Sequence, residues 1–319
     1  MAEKNKLERF EKEVKLLAPW FDEVKDSYFK KFKEFFIENL YKMSELSVSP
    51  FSNSLGIMLK GKNEEYITNV IDFMSLTGMA HEQIKNFKKL NGHFPGTDVL
   101  LKVDFSKDRK IKLSFYHQRL VSNRIAASIM RGMNIQIASI AYFVDVISFL
   151  LRKKNLYIGF NYKPEGGTAL KTFFCNAIEK SGYSLCPGIT AIMAKLDLSS
   201  KLISLFVDFH NYLATEPQRS VFTSIVFTDK IEPVIKIDYE GIPVDKVAEI
   251  YKSLHMPSGE IDKLYYWCKE LNTDKVTYLG IKYINDHPPI FKSYFTRRYA
   301  LEDDPSRLAE LIEETKWIS

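Results

Sequence analysis

The stretch YLGIKYINDHPPIFKSYF, residues 278–295, has the pattern of a β-hairpin with a lysine near the centre of its second strand. Aromatic and β-branched residues favour strands, and the polar, proline-containing centre favours a turn. In the second half, Ile290, Lys292 and Tyr294 alternate with apolar or small residues, so the predicted strand has one apolar face and one charged face. A single lysine of this kind usually points to solvent, and the rest of the chain decides whether Lys292 does.

Three other stretches repeat the hairpin pattern, with a lysine in the same slot. They are YIGFNYKPEGGTALKTFF (157–174), FTSIVFTDKIEPVIKIDY (222–239) and, with a shorter turn that places Lys112 in the slot, LLKVDFSKDRKIKLSFY (100–116). In the three longer hairpins a small residue precedes the lysine by 12 positions: Gly280 and Lys292, Gly159 and Lys171, Ser224 and Lys236. A fifth unit fits at PFSNSLGIMLKG (50–61), and helix-like sequence follows each unit. The chain is therefore predicted to contain about five strand–strand–helix repeats.

Two architectures accommodate such repeats. The hairpins could form a sheet covered by helices on one face, or ten strands could close into a barrel without exposed edges. A barrel of that size is too wide for side chains to fill and encloses a cavity. Its apolar face would then point outward to the helices and its lysines inward, whereas in the open sheet the same lysines would face solvent. The repeats alone leave both arrangements open.

Composition favours a single large folded domain. The chain has 319 residues, 45% of them hydrophobic and 13% aromatic, and its net charge of +5 is too small to indicate nucleic-acid binding. One domain over 1–319 is expected, with an N-terminal helical segment (1–42), the repeats (43–300) and a C-terminal helix (301–319). The three cysteines form no metal-binding or disulfide spacing and are expected to be reduced thiols in a cytoplasmic protein.

One segment, residues 137–151, is apolar enough to raise the question of a membrane span. It has 15 residues and contains Asp145. A span needs roughly 20 apolar residues, so a buried helix is expected instead.

The repeated hairpins and their lysine strands resemble the soluble aromatic prenyltransferases of the ABBA, or PT-barrel, fold. These include the fungal dimethylallyltryptophan synthases and the bacterial phenol, naphthalene and phenazine prenyltransferases. The resemblance covers residues 43–300. It implies an α+β fold with a ten-stranded antiparallel β-barrel (PT barrel) surrounded by α-helices, built from five ββαα-type repeats. It also implies an enzyme that transfers a dimethylallyl or geranyl group from an allylic diphosphate to a small aromatic acceptor, through an allylic carbocation in the lumen.

The resemblance also implies roles for individual residues. The positions matching the family's diphosphate-binding slots are Lys110, Lys112, Lys171, Lys236 and Lys292. Tyr294 matches the tyrosine that shields the cation, and the shield and acceptor pocket would be completed by Tyr157, Phe173, Phe222, Asp238 and Tyr278. If Lys292 is one of several clustered like charges, its removal should leave stability unchanged or higher.

The chain departs from the family pattern in its acidic residues. Asp238 occupies a tyrosine slot, where it would repel a diphosphate unless a cation accompanies it. Ser52 stands where fungal members have a Glu that accepts the indole N–H, and Asn53 stands where metal-dependent bacterial members have an Asp. The catalytic residues are therefore predicted as Tyr294 and Asn53, with no metal ligand, no cofactor and no requirement for magnesium.

The expected partners are a prenyl diphosphate and a small aromatic substrate, with no nucleic acid, no membrane and a monomeric state. Two alternatives remain. One is a non-catalytic barrel that binds an isoprenoid-like ligand, and the other is a basic α+β protein that binds nucleic acid or a protein partner through outward-facing lysines.

Overall fold

Ten antiparallel strands close into a β-barrel in the computed structural model, which describes residues 43–49, 54–61, 64–94, 96–106, 111–147, 150–151, 155–162, 167–177, 185–214 and 220–296. The strands are β1 (Met43–Ser49), β2 (Ser54–Gly61), β3 (Val99–Ser106), β4 (Ile111–Ser122), β5 (Asn155–Tyr162), β6 (Thr168–Ala177), β7 (Ser220–Phe227), β8 (Ile231–Pro243), β9 (Lys275–Ile284) and β10 (Ile290–Thr296). Each strand pairs with its neighbours in sequence, and β1 pairs with β10 to close the barrel. The predicted barrel is confirmed, and the open sheet is wrong.

Helices surround the barrel. They are α1 (Glu64–Leu76), α2 (His81–Asn91), α3 (Asn123–Gly132), α4 (Ile137–Tyr142), which continues into a π-helical turn (Phe143–Ile147), α5 (Leu185–Lys195), α6 (Ser200–Leu213), α7 (Val244–Ser253) and α8 (Ser258–Glu270). The predicted helices over 1–42 and 301–319 lie outside the described residues.

The hydrophobic core lies between the barrel and the helices. The outward face of β8, with Ile235, Ile237 and Tyr239, is buried, as the alternation predicts. Aromatic contacts join the two layers, such as Phe87 of α2 with Phe115 of β4, whose ring centroids are 4.6 Å apart. The inward face of each strand is thereby left to line the lumen.

The apolar segment at 137–151 packs differently from the expectation. It is not a fully buried helix, because Ile137 is 82% exposed whereas Ile140, Phe143 and Ile147 are buried on one face. Phe143 contacts Phe174 and Phe227 of the barrel wall. In the described part of the chain, no helix is long and apolar enough to cross a membrane. The three cysteines are free thiols.

Candidate functional site

The spacing of 12 residues in the repeats corresponds to direct cross-strand pairing. Gly280 pairs with Lys292, Gly159 with Lys171, and Ser224 with Lys236. All of these residues lie on the inward face, and each small residue leaves room for long side chains. A methyl group on Gly280, for example, would overlap the Asp238 carboxylate and lie 2.7 Å from Cε of Lys236. The small residues therefore keep the lumen wide enough for the charged groups.

Among the residues that the structure describes, lysines and carboxylates form three ion pairs inside the lumen. The Nζ of Lys102 donates a hydrogen bond of 2.9 Å to Oε1 of Glu45. Both side chains are nearly buried, at 6% and 11% exposed. Lys292 of β10 pairs with Asp104 of β3, with β1 and β2 between these strands, and Lys236 pairs with Asp238 on its own strand.

The positions of these lysines decide two points that the sequence leaves open: whether the lysines face the lumen, and whether a cation accompanies Asp238. Lys171, Lys236 and Lys292 face the lumen, so the alternative in which they face outward is wrong. Lys236 is the cation that accompanies Asp238. Local sequence patterns do not indicate that Lys292 pairs with Asp104, because these residues are 188 positions apart.

Burial and the ion pair together shift the pKa values of Asp104 and Lys292. Burial alone would raise the pKa of Asp104, but Lys292 and Lys102 outweigh it and lower the pKa to about 2. Burial lowers the pKa of Lys292 to about 8, although Asp104 acts in the opposite direction. At neutral pH the aspartate is therefore fully ionised and the lysine is only moderately basic.

Tyr294 lies among three ammonium groups. The Nζ atoms of Lys102, Lys236 and Lys292 lie 4.3, 4.5 and 6.0 Å from its ring centroid. Lys236 also donates a hydrogen bond of 2.6 Å to the Tyr294 hydroxyl. Burial, followed by nearby carboxylates, raises the pKa of Tyr294 well above its usual value, so the phenol keeps its proton. Its ring already stabilises cations of the protein itself.

An aromatic cavity of about 560 Å³ lies at the end of the lumen away from the hairpin turns. Two edge-to-face pairs line it: Tyr116 with Phe173, at 5.4 Å between centroids, and Phe222 with Tyr278, at 5.6 Å. Tyr157 completes this set and pairs with Phe173 across β5 and β6. Tyr157, Phe173, Phe222 and Tyr278 each stand two residues from a lysine slot or its small partner, which is one inward-facing pair farther from the turns. Tyr116 stands four residues from Lys112 on β4.

Polar groups reach the same cavity from several strands. The cavity is also lined by Glu45, Lys60, Lys102, Lys236, Asp238 and Tyr294, together with Met58, Leu100 and His117. It therefore combines an aromatic wall with the Glu45–Lys102 and Lys236–Asp238 ion pairs.

Three further lysines lie in the lumen without an ion-pair partner. Among the described residues, Lys112, Lys171 and Lys282 have no carboxylate oxygen within 4.0 Å. Lys282 stands directly opposite Lys236 on the neighbouring strand. Burial, followed by Lys112 and Lys236, lowers the pKa of Lys171 far below its usual value. The same causes, in the same order, lower the pKa of Lys282.

The sequence-based site residues divide into three groups. Those that line the cavity are Tyr157, Phe173, Phe222, Lys236, Asp238, Tyr278 and Tyr294. Lys112, Lys171 and Lys292 face the lumen nearer the hairpin turns and do not line this cavity, and Lys112 is exposed. Asn53 and Lys110 lie outside the described residues, as does Ser52.

Sequence reasoning missed Glu45, Lys102, Asp104, Tyr116 and Lys282. Strand alternation was enough to find two of them, since Tyr116 follows Lys112 and Lys282 follows Gly280 on the inward faces of predicted strands. Glu45 lies on a strand that precedes the predicted start of the fifth unit. Among the described residues, no three His, Cys, Asp or Glu side chains cluster as a metal site would.

Comparisons with known proteins identify the fold. No protein-family model matches the sequence, and no curated protein matches it. Among solved structures, the chain is similar to NotF prenyltransferase, with a TM-score of 0.56, 10% identity and 79% of each chain covered. It is also similar to 5-dimethylallyltryptophan synthase from Streptomyces coelicolor, with a TM-score of 0.56, 8% identity, and 92% of this chain and 96% of that chain covered.

A third similar structure is prenyltransferase PriB in a ternary complex with L-tryptophan and dimethylallyl thiolodiphosphate. It has a TM-score of 0.53 and 10% identity, and the match covers 93% of this chain and 96% of that chain. At such identities the likeness is one of fold. The chain therefore has the PT-barrel fold of the aromatic prenyltransferases.

Proposed function

We propose that this protein is an aromatic prenyltransferase, which transfers a dimethylallyl or geranyl group from an allylic diphosphate to a small aromatic acceptor. The observation that carries the proposal is the layering of the lumen: an aromatic cavity lies directly beside a layer of lysines. A prenyl diphosphate has the same division, with an apolar chain and an anionic head. The solved structures of similar fold, which are prenyltransferases, support the assignment.

The lysine layer is suited to the diphosphate head. Burying a polyanion without counter-charges is strongly unfavourable, so ammonium groups must converge on it. Lys171, Lys236 and Lys292 face the lumen from alternate strands, and Lys112 reaches it at the exposed end. Lysine suits a ligand with many oxygens because its three donors rotate on a flexible stem. Lys110, on the same strand motif, belongs to this proposed set.

The aromatic cavity is suited to the cation that follows. The bond between the diphosphate oxygen and C1 of the prenyl group breaks, and its electron pair stays with the diphosphate. The resulting allylic cation is stabilised by aromatic faces, each by roughly 0.5–2 kcal/mol, and is kept from water. Because lysines already surround Tyr294, much of this shielding falls to Tyr157, Phe173, Phe222 and Tyr278.

Glu45 is suited to hold the acceptor. It is one of two carboxylates that line the cavity, and it contributes to the electrostatics of Tyr116, Tyr278 and Tyr294 there. A carboxylate so placed accepts a hydrogen bond from an acceptor N–H or O–H and orients the ring toward the cation. The acceptor forms a bond to C1 and then loses a proton, to a carboxylate or to the diphosphate. We therefore assign to Glu45 the anchoring role that fungal members give to a Glu at the position of Ser52.

The experiment is a screen for prenylated products. Purified protein is incubated with dimethylallyl or geranyl diphosphate and a panel of indoles, phenols and naphthols, and the products are identified by mass spectrometry. We expect a product whose mass increases by one prenyl group. Glu45→Gln should lower turnover at least 10-fold and leave diphosphate affinity within about twofold, because one charge-assisted hydrogen bond contributes about 1.5–3 kcal/mol.

A matched control removes a lysine from the surface. Lys263 forms an ion pair with Glu260 on α8 and is 57% exposed, so Lys263→Met should keep full activity. Absence of product from every donor and acceptor, with folded protein, would count against the proposal.

One observation favours a second candidate, a non-catalytic barrel that binds an isoprenoid diphosphate. Lys236 and Lys292 already have carboxylate partners, so part of the lysine charge is neutralised before any ligand binds. Tight binding of a prenyl diphosphate without product from the acceptor panel would support this candidate.

A further inference from the structure

Among the described residues, the lumen contains more lysine amines than carboxylates. Glu45, Asp104 and Asp238 each engage one lysine. Lys112, Lys171 and Lys282 remain without such a partner in the described part of the chain, and we call them the lysine cluster. The cluster therefore has basic groups that no carboxylate of the described residues neutralises when no ligand is bound.

Strand register forces these like charges together. Lys236 and Lys282 are direct cross-strand partners on β8 and β9 and face the same lumen. Side chains in that relation have Cβ atoms about 4.5–5.5 Å apart, and like charges there are destabilising. Asp104 is the cross-strand partner of Lys112, but its carboxylate bonds to Lys292.

The groups that face Lys171 are mostly basic. Lys112 acts on it from β4, Lys236 from β8 and Lys282 from β9. Asp104, from β3, is the acidic group that acts on Lys171, and Lys292 already holds its carboxylate. A buried amine surrounded in this way favours its neutral form, because both desolvation and like charges disfavour the ammonium. The lowered pKa values of Lys171 and Lys282 agree with this charge distribution.

We propose that Lys171 and Lys282 of the lysine cluster are only partly protonated in the free barrel and take up protons when the barrel binds the allylic diphosphate. This inference rests on the proposed function. The anion brings the negative charge that the cluster lacks, so each neutral amine gains a proton and becomes a hydrogen-bond donor to a phosphate oxygen. Protons are taken from solvent, and no covalent bond changes. Affinity then falls as the pH rises, by up to about tenfold per pH unit for each proton taken up.

Isothermal titration calorimetry with dimethylallyl thiolodiphosphate tests the proposal. At about pH 8.5 the terminal phosphate of this ligand is already fully ionised, since its last ionisation lies near pH 6. The titration is repeated in buffers that differ in ionisation enthalpy, and the slope of observed enthalpy against buffer enthalpy counts the protons transferred. We expect an uptake of about one proton per ligand.

Variants assign the uptake to the cluster. Lys171→Met should at least halve the uptake, and its fold is checked by thermal melting. Lys282→Met provides a second test if the first variant fails to fold. Lys263→Met, on the surface, should match the unmodified protein. An uptake equal to that of the unmodified protein in a folded cluster variant would overturn the assignment to that lysine.

The outcomes separate the two proposals. Binding with no proton exchange, or with net release, would overturn this inference and leave the proposed function intact. A folded protein that binds no thiolodiphosphate at all would overturn both.

Discussion

Replacing Lys292 with Met is expected to destabilise the protein. The sequence alone predicts the opposite, because a lysine among several clustered like charges should be dispensable for stability. In the barrel it neutralises Asp104, and the variant leaves that carboxylate largely buried without its closest partner. Removing the counter-charge of a buried carboxylate destabilises the fold. This loss is larger than the stability gained by relieving the repulsion between lysines.

The magnitude follows from burial. The side chains of Lys292 and Asp104 are 15% and 23% exposed, between the limits of a fully buried pair and a surface pair. Breaking a buried pair costs about 3–5 kcal/mol, and a surface pair contributes about 0–1 kcal/mol. Lys102 and Lys171 still act on Asp104 in the variant. We therefore expect the free energy of unfolding to fall by about 1–3 kcal/mol at pH 7.

Urea unfolding of a double-mutant cycle measures this effect. The double variant Lys292→Met with Asp104→Asn should regain at least half of the lost stability, because no unpaired charge remains. Lys263→Met, which breaks the exposed pair with Glu260, should change stability by less than about 0.5 kcal/mol. A Lys292→Met protein as stable as the unmodified one, with no coupling in the cycle, would refute the argument.

Three other predictions follow from the lumen. Gly280→Ala should lower the free energy of unfolding by about 1–3 kcal/mol in a melting or urea experiment, because its methyl group would overlap Asp238 and lie too close to Lys236. Gly259→Ala, in open space on a helix, should be neutral or stabilising. Equal effects at both sites would contradict the packing argument. Burial lowers the pKa values of Lys171, Lys282 and Lys292, so between their folded and unfolded pKa values the unfolded chain binds more protons at these lysines than the folded chain does. The melting temperature without ligand should therefore rise from about pH 8 to about pH 10, and a fall over this range would count against the buried charge. Turnover should persist in excess EDTA, since Asn53 lacks a carboxylate and lysines supply the counter-charge; strict dependence on added magnesium would show that this neutralisation is insufficient.

The hairpins, their register and their inward faces were predictable from the sequence. The constant spacing between Gly159 and Lys171 and between Gly280 and Lys292 is the signature of direct cross-strand pairing, which depends on local chain geometry. Alternation then placed Tyr157 and Phe173 on the same inward face, where both line the cavity.

The ion pairs between different strands were not predictable, because they depend on closure. Which side chains meet across the lumen is set by the stagger of all ten strands, and no single hairpin contains that information. Asp104 and Lys292 come from β3 and β10 and meet only in the closed barrel. Glu45 and Lys102 lie on β1 and β3, with β2 between them, so their contact likewise depends on the stagger of several strands.

The pairing of β1 with β10 has a consequence for synthesis on the ribosome. Roughly 250 residues separate the start of β1 from the end of β10. At about 5–20 residues per second, the first strand waits on the order of 10–50 seconds for the strand that covers its outer edge. Throughout that interval the nascent chain presents unpaired backbone amides and carbonyls that other chains can pair with. The last hairpin, which carries Lys292, thus both completes the lysine layer and ends the period in which the chain is most prone to aggregation.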